Sequence, residues 1–270
     1  MDILKRTLTA LVLLPLLFLL VQFSSKVFFF IVIQIIVLLS LYEFYDLSRK
    51  KRVYPKRALG MILALLIGGT FLFDKFPLGL ALFAGLLILT VVYLVSITAL
   101  EELMAFPSEA ALTFFGAFYL SFTLNHIILL RQDFGPFYIY FLLIIVFTSD
   151  TGAFLIGKKW GKHKMAALAS PNKTWEGSAA GVASGIVFGV AAGFVLFGKD
   201  ILIWKVVLIA FMIQVIVQLS DPLESLFKRA AGVKDSSHIL PGHGGMLDRT
   251  DSLVLAIPFF YYVLKYLGMS

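Results

Sequence analysis

The sequence predicts an all-α protein, a polytopic integral membrane helix bundle. Of its 270 residues, 60% are hydrophobic and 14% are charged, and the mean hydropathy is +0.95. A water-soluble domain of this size cannot bury so much apolar surface. Long apolar runs also follow one another along the chain, and they are continuous rather than alternating, which favours helices over a β-barrel.

About nine segments approach the roughly 20 apolar residues that a helix needs to cross a bilayer core. They are residues 8–24, 27–46, 58–73, 77–98, 110–130, 136–157, 178–198, 201–220 and 252–267. The first segment follows Lys5 and Arg6, as in a signal peptide, but it lacks a small-x-small cleavage site before Ser24. We therefore predict that it is a retained helix.

Positive charges predict the orientation of these helices. With the N-terminus in the cytoplasm, 17 of the 23 Lys and Arg residues fall on the cytoplasmic side. This excess follows the positive-inside rule, and basic loops there favour contact with the anionic head groups of the bilayer. We expect no nucleic acid as a partner, because no soluble basic domain is present to bind it.

Polar chemistry is concentrated in the second half of the chain. We interpret residues 1–130 as a transmembrane scaffold half and residues 131–270 as a catalytic half. The catalytic half contains two polar loops, 158–177 and 221–251, which the predicted topology places on the cytoplasmic face. Loops on the same face can build one site, so we expect an active site on the cytoplasmic face of a multi-pass membrane protein.

The seventh segment has glycine at every fourth position, at residues 177, 181, 185, 189 and 193. Such a stripe lets two membrane helices approach closely. The partner helix can belong to the same chain or to a second copy, so a homodimer is left open.

Carboxylates are the first candidate site residues. Asp221 lies at the end of the eighth segment, on one helical face with Ser225 and Lys228. Asp248 and Asp251 share a face at the start of the ninth, where one of them can simply cap the helix. Carboxylates near one point repel each other unless a cation neutralises them, so we predict that Asp221, Asp248 and Asp251 bind a metal. An all-oxygen site completed by waters and phosphate suits Mg²⁺.

Phosphate-binding groups are the second set of candidates. His243, Gly244 and Gly245 follow Pro241-Gly242 in a predicted turn whose amides can approach phosphate oxygens, although a plain turn would look the same. His243 can be a general base, a phosphate donor or a turn residue. Positive charge for phosphates comes from Lys228, Arg229, Lys234 and Arg249. Asp235, a carboxylate between these basic residues in the sequence, is a further candidate for substrate binding.

The other polar loop follows Asp150, which lies at the predicted end of the sixth segment. A carboxylate there without a partner would be costly, so we predict a role in substrate binding. Lys173 and a predicted turn at Ser170-Pro171 suit phosphate binding, although lysines of this loop can equally well snorkel to the interface. Thr174 and its neighbours also fit the capped start of a helix.

The run from Ser225 to Asp251 resembles the signature of the phosphatidate cytidylyltransferases, also called CDP-diacylglycerol synthases. It reads S-L-F-K-R, four residues, K-D-S-S, two residues, L-P-G-H-G-G-M-L-D-R-T-D. The resemblance covers the full signature with its spacing intact and is therefore highly specific. The stretch from Asp150 to Gly177 is similar to the second region that the family shares, whereas the N-terminal half resembles the family only in length and hydropathy.

This resemblance implies an enzyme of phospholipid biosynthesis that condenses CTP with phosphatidic acid, giving CDP-diacylglycerol and pyrophosphate. It also implies a magnesium centre held by Asp221 and Asp248, with a second cation as an option. Lys228 and Arg229 are then candidates for the lipid phosphate, and Lys173 with the His243 turn for the nucleotide; exchanged roles fit the sequence equally well.

Two alternatives remain open from the sequence. A CTP-dependent polyprenol kinase would transfer the γ-phosphate and release CDP instead of pyrophosphate. An ion-coupled transporter would use Asp150 and Asp221 as midplane ion ligands, but the predicted carboxylates cluster at one face of the membrane.

Overall fold

The computed structural model describes residues 14–166, 168, 170–198, 202–237 and 244–267. Within these residues the chain forms nine α-helices and one short β-hairpin. The helices are α1 (Leu14–Phe23), α2 (Lys26–Arg49), α3 (Arg57–Gly69), α4 (Leu78–Ser96), α5 (Leu100–Leu129), α6 (Pro136–Trp160), α7 (Trp175–Phe197), α8 (Ile203–Ala230) and α9 (Leu247–Leu267). A π-helical turn, Leu130–Phe134, continues α5.

Six helices among the described residues are long and apolar enough to cross a membrane: α2, α4, α5 with its π-helical turn, α6, α7 and α8. The helices α1 and α3 are apolar but shorter. Large apolar side chains such as Leu94 and Val95 stay exposed, at 76% and 77%, as expected for surfaces in contact with lipid. The predicted all-α polytopic membrane fold is therefore confirmed.

The hairpin was not predicted from the sequence. It pairs β1 (Lys164–Ala166) with β2 (Ser170–Thr174) in antiparallel register, Lys164 opposite Thr174. The predicted turn at Ser170-Pro171 is wrong, because both residues lie in β2; proline is tolerated in a strand that has a free edge. The predicted capped helix start is confirmed, since the Thr174 hydroxyl accepts a hydrogen bond from the Gly177 amide at 3.2 Å.

The chain divides into two compact units. Unit 1 comprises Met1–Ile128 and Ala230–Thr250, and unit 2 comprises Leu129–Arg229 and Asp251–Ser270. The interior of unit 1 combines apolar packing with buried polar pairs. There the Gln34 amide donates to Asn125 Oδ1 at 2.5 Å, and the Tyr45 hydroxyl donates to the Thr113 carbonyl at 2.6 Å.

The interior of unit 2 is organised by the glycine stripe of α7. A Cβ added to Gly177 would lie 2.8 Å from the Ala153 carbonyl of α6, and one added to Gly185 would lie 2.2 Å from the Gln214 amide of α8. The stripe therefore lets α7 pack closely against two helices of the same chain. Buried Gln214 adds hydrogen bonds there, accepting from the Ser149 hydroxyl at 2.5 Å.

Candidate functional site

A cavity of about 250 Å³ opens in unit 2 among α6, the hairpin, α7 and α8. Three of the residues singled out from the sequence line it: Asp150 of α6, Lys173 of β2 and Asp221 of α8. Asn172 and Gln218 add amide groups to the same wall. The fold thus brings both predicted polar loops to one cavity, although they are far apart in the sequence.

Lys173 and Asp221 form an ion pair in this cavity, with Nζ 2.6 Å from Oδ2. The hydroxyl of Ser225, one turn further along α8, donates to the other Asp221 oxygen at 3.3 Å. The Lys173 and Asp221 side chains are 28% and 23% exposed. Both charges are therefore held in place but remain accessible, so a phosphate group can compete for the lysine and a cation for the carboxylate.

Asp251 adds a third acidic group to this part of unit 2. The Ser252 hydroxyl lies 3.3 Å from Asp251 Oδ1 and 3.5 Å from Asp150 Oδ2, so it lies between the two carboxylates and can donate to either one. Burial raises the pKa of Asp251, the Asp221 carboxylate adds to the rise, and Lys228 opposes it. Acidic groups that repel one another in this way favour a bound cation.

Lys228 lies among these acids in the last turns of α8. Its ammonium is 3.1 Å from Glu224 Oε1 and 3.9 Å from Asp251 Oδ2. Glu224 is 1% exposed and Lys228 is 7% exposed, so the pair is buried. Glu224 was not among the residues predicted from the sequence to have a role, although its spacing of four from Lys228 is the signal of a helical ion pair.

Glu176 fixes the hairpin that carries Lys173. Its carboxylate accepts hydrogen bonds from the backbone amides of Lys162 and His163, at 3.1 and 3.2 Å. The His163 ring nitrogen Nδ1 lies 2.6 Å from Glu176 Oε1. Glu176 thereby joins the residues just before β1 to the first turn of α7. This contact was not predicted, because from the sequence Glu176 was considered only as part of a helix cap.

Glu43 of α2 is the centre of a second polar cluster, which lies in unit 1. Its side chain is 1% exposed, and it accepts four hydrogen bonds. The donors are Ser237 Oγ at 2.6 Å and Met246 N at 3.0 Å to Oε1, and Ser236 Oγ at 2.8 Å and Leu247 N at 2.8 Å to Oε2. Two of these donors are amides at the start of α9, where a negative charge is stabilised by the helix dipole.

Asp248 belongs to the same cluster of unit 1. Its Oδ2 accepts from the backbone amides of Ser236 at 2.9 Å and Gly245 at 2.8 Å, and the Ser236 hydroxyl lies 2.9 Å away. Gly244 has a φ of 79°, and a Cβ there would lie 2.9 Å from Asp248 Oδ2. In this arrangement the amides of Gly245, Met246 and Leu247 bind carboxylates of the chain itself.

The remaining candidates from the sequence are four exposed charged residues and His243. The side chains of Arg229, Lys234, Asp235 and Arg249 are exposed, and His243 lies outside the described residues. The roles of all the candidate residues stay predictions.

Mg²⁺ is the metal that an all-oxygen donor set of this kind would hold. Among the residues that the structure describes, no three His, Cys, Asp or Glu side chains are grouped closely enough to hold an ion together. Mg²⁺ commonly takes only one or two carboxylates from the protein and completes its shell with waters and substrate phosphates. The accessible carboxylate of Asp221, with Asp251 nearby, fits that pattern of binding.

Comparison with known proteins gives a consistent result along nearly the whole chain. The sequence model of the Cytidylyltransferase family matches residues 4–267. A phosphatidate cytidylyltransferase of Bacillus subtilis (strain 168) is 34% identical over 272 residues, which cover 97% of this chain and 98% of the relative. A phosphatidate cytidylyltransferase of Brucella suis biovar 1 (strain 1330) is 32% identical over 222 residues, covering 82% of this chain and 78% of that protein.

Proposed function

Because this chain belongs to the cytidylyltransferase family, we propose that the carboxylates and cations of its two polar loops bind CTP and phosphatidic acid and promote their reaction. The chain transfers the cytidylyl group of CTP to phosphatidic acid, which gives CDP-diacylglycerol and pyrophosphate. One observation supports the roles that we propose for named residues. It is the accessible Lys173–Asp221 ion pair in the cavity of unit 2.

The reaction is a displacement at the α-phosphorus of CTP. A phosphate oxygen of phosphatidic acid forms the new bond, the bond from the α-phosphorus to the bridging oxygen of the β-phosphate breaks, and pyrophosphate leaves with that electron pair. The attacking phosphate is already anionic near neutral pH, so no dedicated general base is required. Alignment of the two substrates and neutralisation of their negative charge then supply most of the rate enhancement.

The basic residues divide between the two substrates in this proposal. Lys173 binds the nucleotide phosphates, and it does so by exchanging its contact with Asp221 for phosphate oxygens. Lys228 and Arg229 bind the phosphate of the lipid. The cavity of about 250 Å³ is slightly smaller than the roughly 300–1,000 Å³ of typical small-molecule pockets. Its volume therefore suits the phosphate-bearing part of a substrate better than an acyl chain.

Magnesium is the cofactor of this proposal, and Asp221, Asp248 and Asp251 are the proposed ligands. When bound, Mg²⁺ would neutralise charge on the phosphates of CTP and of the departing pyrophosphate. Asp221 is accessible and near Asp251, which supports a role in metal binding. A second cation and a homodimer remain predictions; the glycine stripe does not bear on the dimer because it packs within the chain.

We also propose that the active site faces the cytoplasm. The distribution of Lys and Arg along the chain supports this orientation through the positive-inside rule. Access of reagents from one side of an oriented vesicle tests it: a cysteine introduced in place of exposed Lys162 should react with an impermeant maleimide only from the cytoplasmic side.

The function is tested with purified protein in micelles that contain phosphatidic acid, with CTP, in the presence and absence of Mg²⁺. The expected products are pyrophosphate and a CDP-lipid, formed only with Mg²⁺ and lost in Asp248→Asn. Asp74→Asn, which changes an exposed carboxylate, is the matched control and should stay active. Release of CDP would indicate the kinase instead, and retention of activity by Asp248→Asn would remove Asp248 from the proposed ligands.

A further inference from the structure

Glu43 binds the two short stretches of chain that hold Asp248 in place. On one side of Asp248 Oδ2 is Ser236, which donates to it through its backbone amide and donates its hydroxyl to Glu43 at 2.8 Å. On the other side is Gly245, which donates to Asp248 at 2.8 Å, and the amide of the next residue, Met246, donates to Glu43 at 3.0 Å. Each residue that donates to Asp248 therefore also donates to Glu43, as Ser236 does, or is followed by a residue that does, as Gly245 is.

We propose that Glu43 is a positioning residue for Asp248. It holds the backbone around Ser236 and Gly245 so that their amides meet at Asp248 Oδ2, and this fixes the direction of the Asp248 carboxylate. The proposal rests on the function stated above, in which Asp248 is a magnesium ligand. Glu43 itself contacts neither substrate nor metal in this proposal.

The hydrogen bonds require a carboxylate at position 43. Each oxygen of Glu43 accepts two donors, and all four contacts are 2.6–3.0 Å long. Glutamine has nearly the same shape, but its amide nitrogen would face two of these donors with hydrogens of its own. Aspartate keeps both acceptor oxygens but is one methylene shorter. Substitution by glutamine therefore breaks about half of the cluster without opening a cavity.

The Ser236 hydroxyl has a single proton, so it cannot hold Glu43 and Asp248 at the same time. The hydroxyl oxygen lies 2.8 Å from Glu43 and 2.9 Å from Asp248, yet it can donate to only one of them at a time. The backbone amides of Ser236 and Gly245 are therefore the constant donors to Asp248. Their placement depends on the contacts that Glu43 makes next to them.

Gly245 shows how closely the backbone approaches Glu43. A Cβ at residue 245 would lie 2.3 Å from Glu43 Oε2 and 2.1 Å from the Ser236 hydroxyl. The amides of Gly245, Met246 and Leu247 can come this near only because the side chain is absent at 245. The geometry of the backbone and the carboxylate at 43 are thus adapted to each other.

The test compares the unmodified protein with Glu43→Gln, Glu43→Asp and Ser237→Ala, and with Asp46→Asn as the control. Asp46 lies one turn along α2, is paired with Arg57 and is 46% exposed. Two quantities are measured without substrate: amide hydrogen exchange at residues 245–247, and Mn²⁺ binding by electron paramagnetic resonance. Removal of an outer partner of a metal ligand typically weakens metal binding by about 10- to 100-fold, and we expect this loss for Glu43→Gln, together with faster exchange.

The milder variants keep the test decisive if Glu43→Gln does not fold. Ser237→Ala removes one of the four donors and should weaken Mn²⁺ binding less than Glu43→Gln, while Asp46→Asn should leave it unchanged. Mn²⁺ binding that is unaffected in every folded Glu43 and Ser237 variant would overturn the proposal.

The Asp248→Asn variant separates this proposal from the proposed function. If Asp248→Asn loses Mn²⁺ binding and the Glu43 variants do not, the positioning role is wrong and the metal site stands. If Asp248→Asn binds Mn²⁺ normally, then Asp248 is not a ligand and the function proposed for it fails first.

Discussion

Lys173 and Asp221 are joined by a 2.6 Å ion pair that connects the hairpin to α8 within unit 2. The two residues come from the two polar loops that the sequence analysis identified separately. Without substrate, each neutralises the other. In the proposed function, a phosphate that binds Lys173 or a cation that binds Asp221 must displace this contact, so we expect binding of the two ligands to be interdependent.

The first prediction concerns this pair. Lys173→Met, which keeps most of the length of the side chain but removes its charge, should lower kcat/KM for CTP by at least about tenfold, because loss of a charge-assisted hydrogen bond costs about 1.5–3 kcal/mol. Steady-state kinetics with CTP varied gives the value. Lys162→Met, a change of an exposed lysine before β1, is the control. Equal kinetics for the two variants would show that Lys173 does not bind the nucleotide.

The second prediction concerns Glu176. Glu176→Ala removes the acceptor of two backbone amides and one ring nitrogen, so the hairpin should move relative to α7 and carry Lys173 with it. We expect KM for CTP to rise while thermal stability changes little. His163→Ala should have a smaller effect, because the His163 side chain is 78% exposed and exposed ion pairs contribute only about 0–1 kcal/mol. A larger effect of His163→Ala would contradict this order.

The third prediction concerns the glycine turn. Gly245→Ala places a methyl group 2.1 Å from the Ser236 hydroxyl and 2.3 Å from Glu43, so the cluster around Asp248 must rearrange. We expect activity to fall by at least about tenfold, as for loss of an outer partner of a metal ligand. Gly79→Ala is the matched control, because its methyl group would meet nothing within 4 Å. Activity assays measure the loss in Gly245→Ala relative to Gly79→Ala, and a melting curve for each variant shows that it is folded.

The fourth prediction concerns packing in unit 2. Gly185→Ala would bring a Cβ within 2.2 Å of the buried Gln214 amide, which hydrogen-bonds Ser149 and the Ile145 carbonyl. Overpacking of this kind costs typically about 1–3 kcal/mol. We expect the midpoint of thermal unfolding in detergent to fall by several degrees relative to Gly79→Ala. An unchanged midpoint would mean that α7 and α8 separate easily.

Much of the fold was accessible from the sequence because membrane crossing demands long apolar runs. Helix boundaries were less accessible. The segment predicted to start at residue 110 begins instead at Leu100, because Glu102 accepts from the amides of Thr98 and Ala99, at 2.7 and 3.2 Å, and so stabilises a polar first turn. Charged residues lower the hydropathy of such a turn without preventing the helix.

The candidate site was accessible only in part. Asp150, Lys173 and Asp221 attracted attention because charges are expensive beside apolar runs, and they line one cavity. The contacts of Glu43 could not be read in this way, since its partner Ser236 is 193 residues further along the chain and no periodicity links them. A long-range hydrogen bond of this kind is decided by the tertiary fold.

The glycine stripe of α7 also limits how unit 2 can respond to a ligand. Side chains between two helices act as a compressible layer that adjusts by changing rotamer. Here that layer is missing, because backbone atoms of α6 lie only 2.8 and 3.0 Å from the place that a Cβ of Gly177 would take. We therefore expect the helices around Asp150 and Lys173 to shift little when a ligand binds, and the long side chain of Lys173 to adapt by changing its rotamer.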